Sequence, residues 1–204
     1  MLETLIHIDQ MWLLAINGAH CPWADTLFWW VSKLWVWIPL YALLIGLLFK
    51  QFGWKRGLIY TAALFVAVGL SDYISSGIIK HLVCRPRPTH EPAIMDMVHT
   101  VNGYFGGKYG FVSSHAANTM SVAVLFSLLW HQKNNHGWWL LLYVALNCYS
   151  RMYLGVHYPG DIIGGLIVGG LVAWGLYALI RWLEARYAGR LGADVAAVCQ
   201  SGAT

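Results

Sequence analysis

Charged residues are scarce in this chain, where Asp, Glu, Lys and Arg together make up 11% of 204 residues. A soluble domain carries about 25% of these residue types, so the charge that a soluble fold needs is missing. Disorder is excluded as well, because 58% of the residues are hydrophobic. Mean hydropathy is +0.55, which indicates an integral membrane protein. The length allows one compact bundle, not two domains.

Other signals are missing too. The net charge of +4 includes neither a basic run nor an acidic tail, so nucleic acid is not expected as a partner. The sequence has no C-x-x-C pair, which leaves structural zinc and dithiol redox sites without their usual spacing. No Lys or Arg precedes Lys33 and no small-residue cleavage site follows the first apolar stretch, which argues against a removable signal peptide.

Apolar segments and aromatic residues are abundant instead. A membrane-spanning helix needs about 20 mostly apolar residues, and Trp and Tyr favour the membrane borders. The chain has 12 Trp and 11 Tyr. We predict an all-α membrane bundle of about five spanning helices: Leu27 to Phe49, Gly57 to Ile79, Ser114 to Trp130, Trp138 to Gly155 and Asp161 to Leu183.

An amphipathic segment precedes these spans. Leu2 to Asn17 has one helical face with Glu3, His7, Gln10 and Asn17, and another with Leu5, Ile6, Trp12, Leu13 and Ile16. We expect a helix that lies in the membrane interface or is re-entrant.

The organisation predicted is one membrane-embedded domain over 1–183 and a cytoplasmic tail over 184–204. The longest connection, 89–112, is rich in glycine and carries Lys108. Loops of this length are usually functional or disordered, so a lid that selects headgroups and a mobile interfacial loop both remain open.

Basic residues predict the orientation, because cytoplasmic loops are enriched in Lys and Arg. One side of the predicted topology holds Lys50, Lys55, Arg56, Lys133, Arg181, Arg186 and Arg190. The opposite side holds Lys80, Arg85, Arg87, Lys108 and Arg151. We expect the first side to be cytoplasmic and the second group to bind an anion.

Three polar groups converge on that second side in the predicted topology. They are Lys80 to Pro88 after the second span, Ser113-Ser114-His115 at the third, and Ser150-Arg151 with His157 and Asp161 between the last two. Lys and Arg supply donors for a phosphate-like oxyanion. Two His and one Asp supply a nucleophile, a general acid and an orienting carboxylate.

These three groups resemble the signature of the type 2 phosphatidic acid phosphatases, a family that also includes vanadium haloperoxidases. The first and third groups match at every signature position. In the first, Lys80 is followed after six residues by Arg87-Pro88. In the third, Ser150-Arg151 is followed after five residues by His157 and after three more by Asp161. The middle group departs from the usual Pro-Ser-Gly-His, since it reads Val112-Ser113-Ser114-His115. The resemblance covers about residues 72–170.

The resemblance implies a role for each residue. His157 would attack phosphorus to form a phosphohistidine, Asp161 would orient it, and His115 would act as general acid and then as base. Phosphate would be bound by Lys80, Arg87, Ser113, Ser114 and Arg151, while Arg85 and Lys108 are candidate headgroup contacts. No cofactor is implied. We predict no metal, because Asp161 is the one carboxylate of the site, with Glu91 and Asp96 out in the loop.

The predicted function is therefore hydrolysis of a membrane lipid phosphate or diphosphate, with the bilayer and that lipid as partners. The active site would face the periplasm or cell exterior from a bacterial inner membrane. The resemblance implies lipid A phosphate, undecaprenyl diphosphate and phosphatidylglycerophosphate as candidate substrates, and the glycine-rich loop with Lys108 resembles a contact for a sugar-phosphate headgroup. A non-enzymatic transporter or binding protein for anionic lipids is the alternative. Oligomeric state is left open.

Three further residues or groups have structural interpretations. Asp72 would form hydrogen bonds inside the bundle, with direct catalytic support as the less favoured option. Lys33 would snorkel to the interface. The glycine pairs Gly164-Gly165 and Gly169-Gly170, with Gly175, would allow close helix packing in the last span.

Overall fold

The computed structural model describes residues 2–131, 137 and 139–201, with side chains for 3–131, 137 and 139–186. Seven α-helices and several short helical turns make up these residues, and no β-strand occurs among them. The all-α prediction is thereby confirmed. Lys133 and the side chain of Arg190, both assigned to the cytoplasmic side, lie outside the described residues.

The chain begins with two helices, α1 (Leu2–Gly18) and α2 (Pro22–Val31). The first predicted span, Leu27 to Phe49, is not one continuous helix, because Leu27 lies within α2, which ends at Val31, and a 3-10 turn, Leu34–Trp37, precedes α3. Proline lies in the first turn of both α2 and α3, where its fixed φ favours a helix start.

Helix α3 (Ile38–Asp72) folds back on itself at Gly53, whose φ of 75° is in the region that favours glycine. In a straight helix Leu44 and Leu64 would be about 30 Å apart. Instead both side chains line one groove, and the rings of Phe52 and Tyr60 are 5.0 Å apart. The two arms of α3 are therefore antiparallel.

The second arm continues through a π-helix, Tyr73–Ile79, into α4 (Lys80–Val83). Then follow α5 (Ser114–His131), α6 (Leu140–Tyr153) and α7 (Pro159–Ser201). Helix α7 extends beyond Leu183, so the segment predicted as a tail continues the last helix as far as Ser201.

Two stretches of the described chain are long and apolar enough to span a membrane, Leu34–Val83 and Pro159–Arg186. The count of about five spans is not confirmed. Helix α6 has 14 residues. At 1.5 Å per residue it is about 21 Å long, which is shorter than the hydrocarbon core of a bilayer.

The core lies where α3, α5, α6 and α7 meet, and glycines of α7 let α5 approach closely. A Cβ atom at Gly165 would lie 2.4 Å from the carbonyl oxygen of Ser113, and one at Gly169 would lie 2.1 Å from that of Ala117. Gly164 likewise faces Val112. The prediction of close helix packing is confirmed for Gly165 and Gly169, whereas Gly164 packs against the end of the 89–112 loop, and Gly170 and Gly175 have no described atom within 4 Å of a Cβ position.

Helix α1 docks on the bundle through a face that includes Leu13 of the predicted apolar face and Asn17 of the predicted polar face. Asn17, expected on the polar face, is fully buried, and its Nδ2 donates to the carbonyl oxygens of Tyr153 at 2.7 Å and His99 at 2.9 Å. Its Oδ1 accepts from the N–H of His99 at 2.8 Å. One amide thus satisfies backbone groups of α6 and of the 89–112 loop.

The 89–112 loop is held to the helices by buried apolar residues. Ile94 and Val98 pack with Leu13 and Tyr158, and Val101 packs with Tyr153. The loop contains two 3-10 turns, Pro88–His90 and Met95–Met97. Its function as a lid remains a prediction.

Candidate active site

The three sequence groups meet at one end of the bundle, around a cavity of about 500 Å³. Lys80 lies in α4, Ser114 and His115 begin α5, Arg151 lies near the end of α6, and His157 precedes α7. The lining includes Lys80, Arg87, Ser114, His115, Arg151 and His157. Residues from three separate segments are therefore close enough to act on one ligand.

Lys80 is oriented by two serine hydroxyls. Its Nζ donates to Oγ of Ser114 at 2.8 Å and to Oγ of Ser76 at 3.5 Å, and the two hydroxyls are 2.6 Å apart. Ser76 belongs to the π-helix that precedes Lys80, a type of irregularity frequent at functional sites. Ser114 replaces the glycine that is usual in the family, so its hydrogen bond with Lys80 is one that the family motif does not predict.

The two arginines of the cavity are buried and only partly paired. Nε of Arg87 donates to the carbonyl oxygen of Tyr109 at 3.0 Å, and Nη2 of Arg151 donates to Oη of Tyr104 at 3.0 Å. Nη1 of Arg87, Nε of Arg151 and Oγ of Ser113 are buried without a hydrogen-bond partner in the described part of the chain. A buried polar group without a partner costs about 1–3 kcal/mol. The two arginine groups suit the oxygens of an anion in the cavity, whereas Ser113 is not among the residues that line it in the described structure.

The glycine-rich part of the 89–112 loop holds Arg87 in place. The N–H of Arg87 donates to the carbonyl oxygen of Lys108 at 3.0 Å, and the N–H of Gly110 donates to that of Arg85 at 2.9 Å. Gly106 has a φ of 69°, and a Cβ atom there would lie 2.3 Å from Nη1 of Arg87. Only glycine allows both this backbone conformation and this close approach.

His157 and Asp161 form a buried pair. Nδ1 of His157 is 3.4 Å from Oδ2 of Asp161, which also accepts from the N–H of Tyr158 at 3.1 Å. Burial, and then the positive charges of Arg87, Arg151 and Lys80, hold the pKa of His157 well below its usual range, while a backbone hydrogen bond to Gly110 opposes this shift. The imidazole is therefore neutral at physiological pH.

His115 lies in the first turn of α5 and is exposed to the cavity. Asp72 lines the same cavity and accepts a hydrogen bond from Nδ2 of Asn118 at 3.3 Å, as expected of a hydrogen-bonding group in the bundle. Nζ of Lys33 lies 3.5 Å from the ring centroid of Trp29.

Arg85 and Lys108, the candidate headgroup contacts, are not among the residues that line the cavity in the described structure. Arg85 binds two carboxylates, Asp161 at 3.0 Å and Asp9 at 2.7 Å. Lys108 is exposed, with Nζ 5.5 Å from the ring centroid of Tyr109. Their role as headgroup contacts remains a prediction.

Sequence reasoning missed two residues, Tyr104 and Asp9. Tyr104 lines the cavity and contacts Arg151, but nothing in its sequence neighbourhood distinguishes it from interfacial tyrosines. Asp9 had a detectable signal. It precedes Leu13 and Asn17 by four and eight residues, so these three residues share one helical face, and an acidic residue on a buried face needs a partner.

Comparison with known proteins assigns the chain to a family. Residues 58–185 match the model of the PAP2 superfamily. The lipid A 4'-phosphatase of Bacteroides thetaiotaomicron is 37% identical over 91% of this chain and 83% of that protein. The lipid A 4'-phosphatase of Porphyromonas gingivalis is 35% identical over 92% of this chain and 79% of that protein.

Solved structures share the fold. The PAP2-type phosphatidylglycerolphosphate phosphatase from Bacillus subtilis has a TM-score of 0.65 and 19% identity over 87% of each chain. Aquifex aeolicus LpxE has a TM-score of 0.61 and 24% identity over 81% of this chain and 92% of that one. The chain therefore shares its fold with these two proteins.

The chain belongs to the PAP2 superfamily, which confirms the family that its three motifs indicate. It is a lipid phosphatase of that family.

Proposed function

We propose that this protein removes phosphate from a lipid with a phosphorylated sugar headgroup, of the lipid A type, through a phosphohistidine at His157 and without a metal. One observation carries the proposal. Buried, unpartnered donors of Arg87 and Arg151 belong to residues that line the cavity into which the neutral imidazole of His157 faces. Fixed donors for equatorial oxygens, combined with a neutral nucleophile, are what phosphoryl transfer requires.

In the first step, the lone pair of His157 Nε2 attacks phosphorus and the bond from phosphorus to the lipid oxygen breaks. His115 gives its proton to that oxygen, so the dephosphorylated lipid leaves as an alcohol. Asp161 accepts a hydrogen bond from Nδ1–H, which keeps the lone pair on Nε2 and stabilises the imidazolium that forms.

In the second step, neutral His115 takes a proton from water as the water oxygen attacks phosphorus. The phosphorus–nitrogen bond breaks, and its electron pair returns to Nε2 of His157. Inorganic phosphate leaves, and His115 keeps the proton for the next cycle. Lys80, Arg87 and Arg151 neutralise the charge of the phosphoryl oxygens in both steps, and the Ser113 hydroxyl would donate a hydrogen bond to them.

The choice of substrate class rests on the two lipid A 4'-phosphatases, which match most of this chain. A second support is the apolar groove of about 260 Å³ between the arms of α3, where Leu44, Leu64 and Phe65 can receive part of an acyl chain. Leu34, Tyr41 and Val68 line both this groove and the cavity. The lipid would enter sideways, with its remaining chains in the bilayer.

We further propose that the cavity opens on the outer face of the bacterial inner membrane. The turn at Gly53 and the C-terminal part of α7 lie at one end, since Oη of Tyr60 donates to Glu184 at 2.6 Å. Five of the basic residues assigned to the cytoplasm belong to this end: Lys50, Lys55, Arg56, Arg181 and Arg186. From Arg181 to Asp161, at the site, α7 extends about 30 Å, the thickness of a hydrocarbon core.

The test uses purified protein in detergent with lipid A, undecaprenyl diphosphate and phosphatidylglycerophosphate in parallel. We expect phosphate release to be fastest from lipid A and absent in His157→Ala. Faster release from either other lipid would overturn the substrate assignment. Release by His157→Ala at the wild-type rate would remove His157 from the nucleophile role, and no release by wild type from any lipid would favour a transporter or binding protein.

A further inference from the structure

The N-terminal helix contacts the catalytic end of the protein through the carboxylate of Asp9. Oδ1 accepts a hydrogen bond from the backbone N–H of Gly160 at 2.7 Å, and Oδ2 accepts one from Nη2 of Arg85 at 2.7 Å. Gly160 is the second residue of α7, where backbone N–H groups lack an acceptor within the helix. A Cβ atom at Gly160 would lie 2.8 Å from Oδ2 of Asp9, so a larger residue would displace this carboxylate.

Arg85 extends this contact to Asp161. Its Nη1 donates to Oδ1 of Asp161 at 3.0 Å, and its Cζ lies 4.0 Å from the ring centroid of Tyr158. The planar fork of a guanidinium can donate to two carboxylates at once, which an ammonium cannot do with the same fixed geometry. Two carboxylates and one aromatic face therefore hold Arg85 in a single orientation.

The position of the Asp161 carboxylate decides the contact with His157. Oδ1 is bound by Arg85, and Oδ2 faces Nδ1 of His157 at 3.4 Å. This distance is at the long end for a hydrogen bond, so a small rotation of the carboxylate would remove the contact. Asp161 and the His157 ring are both buried, and water cannot replace a lost partner there without cost.

We propose that Asp9 and Arg85 are a positioning pair, which holds the Asp161 carboxylate against His157 and so makes the N-terminal helix part of the catalytic unit. Asp9 binds Nη2 of the guanidinium, whose Nη1 binds Asp161, and it holds the start of α7 through Gly160. Neither residue lines the cavity in the described structure, so both act through Asp161 and not on the substrate. This inference rests on the proposed role of His157 as the nucleophile.

The first test is Asp9→Asn, which keeps the size of the side chain and removes its charge. Because a misplacement of about 1 Å can cost about 100-fold in rate, we expect kcat to fall by about 10- to 100-fold. KM should stay within about twofold, because the phosphate contacts of Lys80, Arg87 and Arg151 are retained. A purely structural role would reduce the amount of folded enzyme and leave kcat per folded molecule unchanged.

Asp25→Asn is the matched control. Asp25 also joins the N-terminal segment to the bundle, because it accepts from Oη of Tyr153 at 2.6 Å and lies 3.1 Å from Nε2 of His99. It has no described contact with Arg85 or Asp161. We expect Asp25→Asn to retain the wild-type kcat.

The second test asks whether Asp9 acts through Asp161. In an Asp161→Asn background, adding Asp9→Asn should change kcat by less than about twofold, because the group that Asp9 positions is already lost. Full additivity of the two losses would overturn the proposal. If Asp9→Asn does not fold, Arg85→Lys replaces it, with the same expectation of a lowered kcat at unchanged KM.

The outcomes separate this inference from the proposed function. A wild-type kcat for folded Asp9→Asn or Arg85→Lys, combined with an inactive His157→Ala, would overturn the positioning pair alone. An active His157→Ala would overturn the proposed function, whatever Asp9→Asn does.

Discussion

Lys80 and Ser114 are joined by a hydrogen bond of 2.8 Å between Nζ and Oγ, across 34 residues of sequence. Ser114 stands where the family signature has glycine, so the hydroxyl that orients the lysine is a feature of this chain. The glycine that is usual at this position could not provide such an acceptor. The replacement of the usual glycine by Ser114 therefore gives Lys80, a residue of the anion site, a hydrogen-bond acceptor.

Ser114→Gly should weaken substrate binding. The lysine would retain only the 3.5 Å contact with Ser76, and a net hydrogen bond is worth about 1 kcal/mol. We expect KM to rise about fivefold with kcat little changed, which steady-state phosphate release would measure. Ser76→Ala is the control, with a smaller rise in KM because its contact is longer. An unchanged KM in Ser114→Gly would show that the hydroxyl does not orient Lys80.

The lowered pKa of His157 makes stability depend on pH. In the unfolded chain this histidine protonates as the pH falls below about 6.5, whereas in the folded protein burial and the neighbouring cations keep it neutral. The unfolded state then binds more protons, so stability falls with decreasing pH, by up to about 1.4 kcal/mol per pH unit from this group. Above pH 6.5 His157 is neutral in both the folded and the unfolded chain, so it no longer makes stability depend on pH.

His157→Asn should remove that part of the pH dependence. The measurement is the thermal unfolding midpoint in detergent at pH 7.5 and at pH 5.0, for wild type and variant. We expect the midpoint to drop less in the variant, because its side chain does not titrate. Equal drops in the two proteins would mean that His157 has the same pKa in the folded and unfolded chains.

Activity should survive removal of divalent metals. Three cations, Lys80, Arg87 and Arg151, line the cavity together with one carboxylate, that of Asp72, so the excess of positive charge repels a metal ion. The carboxylate of Asp161 is already engaged by Arg85 and by the N–H of Tyr158. Phosphate release from the same lipid with and without EDTA tests this. Complete loss that magnesium restores would contradict the phosphohistidine mechanism.

The site motifs could be predicted from sequence because each lies next to a helix end, where the residue order fixes which groups are presented. Ser114 begins α5 as predicted, and α7 begins two residues before the predicted Asp161. Asp9 could not be paired with Arg85 in this way. Their contact spans 76 residues and depends on how α1 docks, which local periodicity does not encode.

Span boundaries were less predictable, for a different physical reason. The stretch from Pro22 to Ile38 is mostly apolar and contains only a few polar residues, so hydropathy cannot locate the break between α2 and α3. Prolines mark the two helix starts. The 3-10 turn between them is set by local backbone conformation, which hydropathy does not record. Hydropathy reports burial in lipid or protein, not the backbone conformation that achieves it.

Two neighbouring glycines of α7 should respond differently to alanine. At Gly169 a Cβ atom would lie 2.1 Å from the carbonyl oxygen of Ala117, which belongs to the backbone of α5 and cannot move alone. Separating α5 from α7 disturbs packing in the core, and overpacking typically costs about 1–3 kcal/mol. Gly169→Ala should therefore lower the thermal unfolding midpoint by several degrees and, because α5 carries Ser114 and His115, reduce activity as well.

Gly170→Ala is the control for that experiment. No described atom lies within 4 Å of a Cβ position at Gly170, so the added methyl group has room. Alanine is also the better helix former by about 1 kcal/mol, which should leave the midpoint unchanged or raise it. Equal destabilisation by both substitutions would mean that the α5–α7 approach is looser than the glycine contacts indicate, since only Gly169 lies against Ala117.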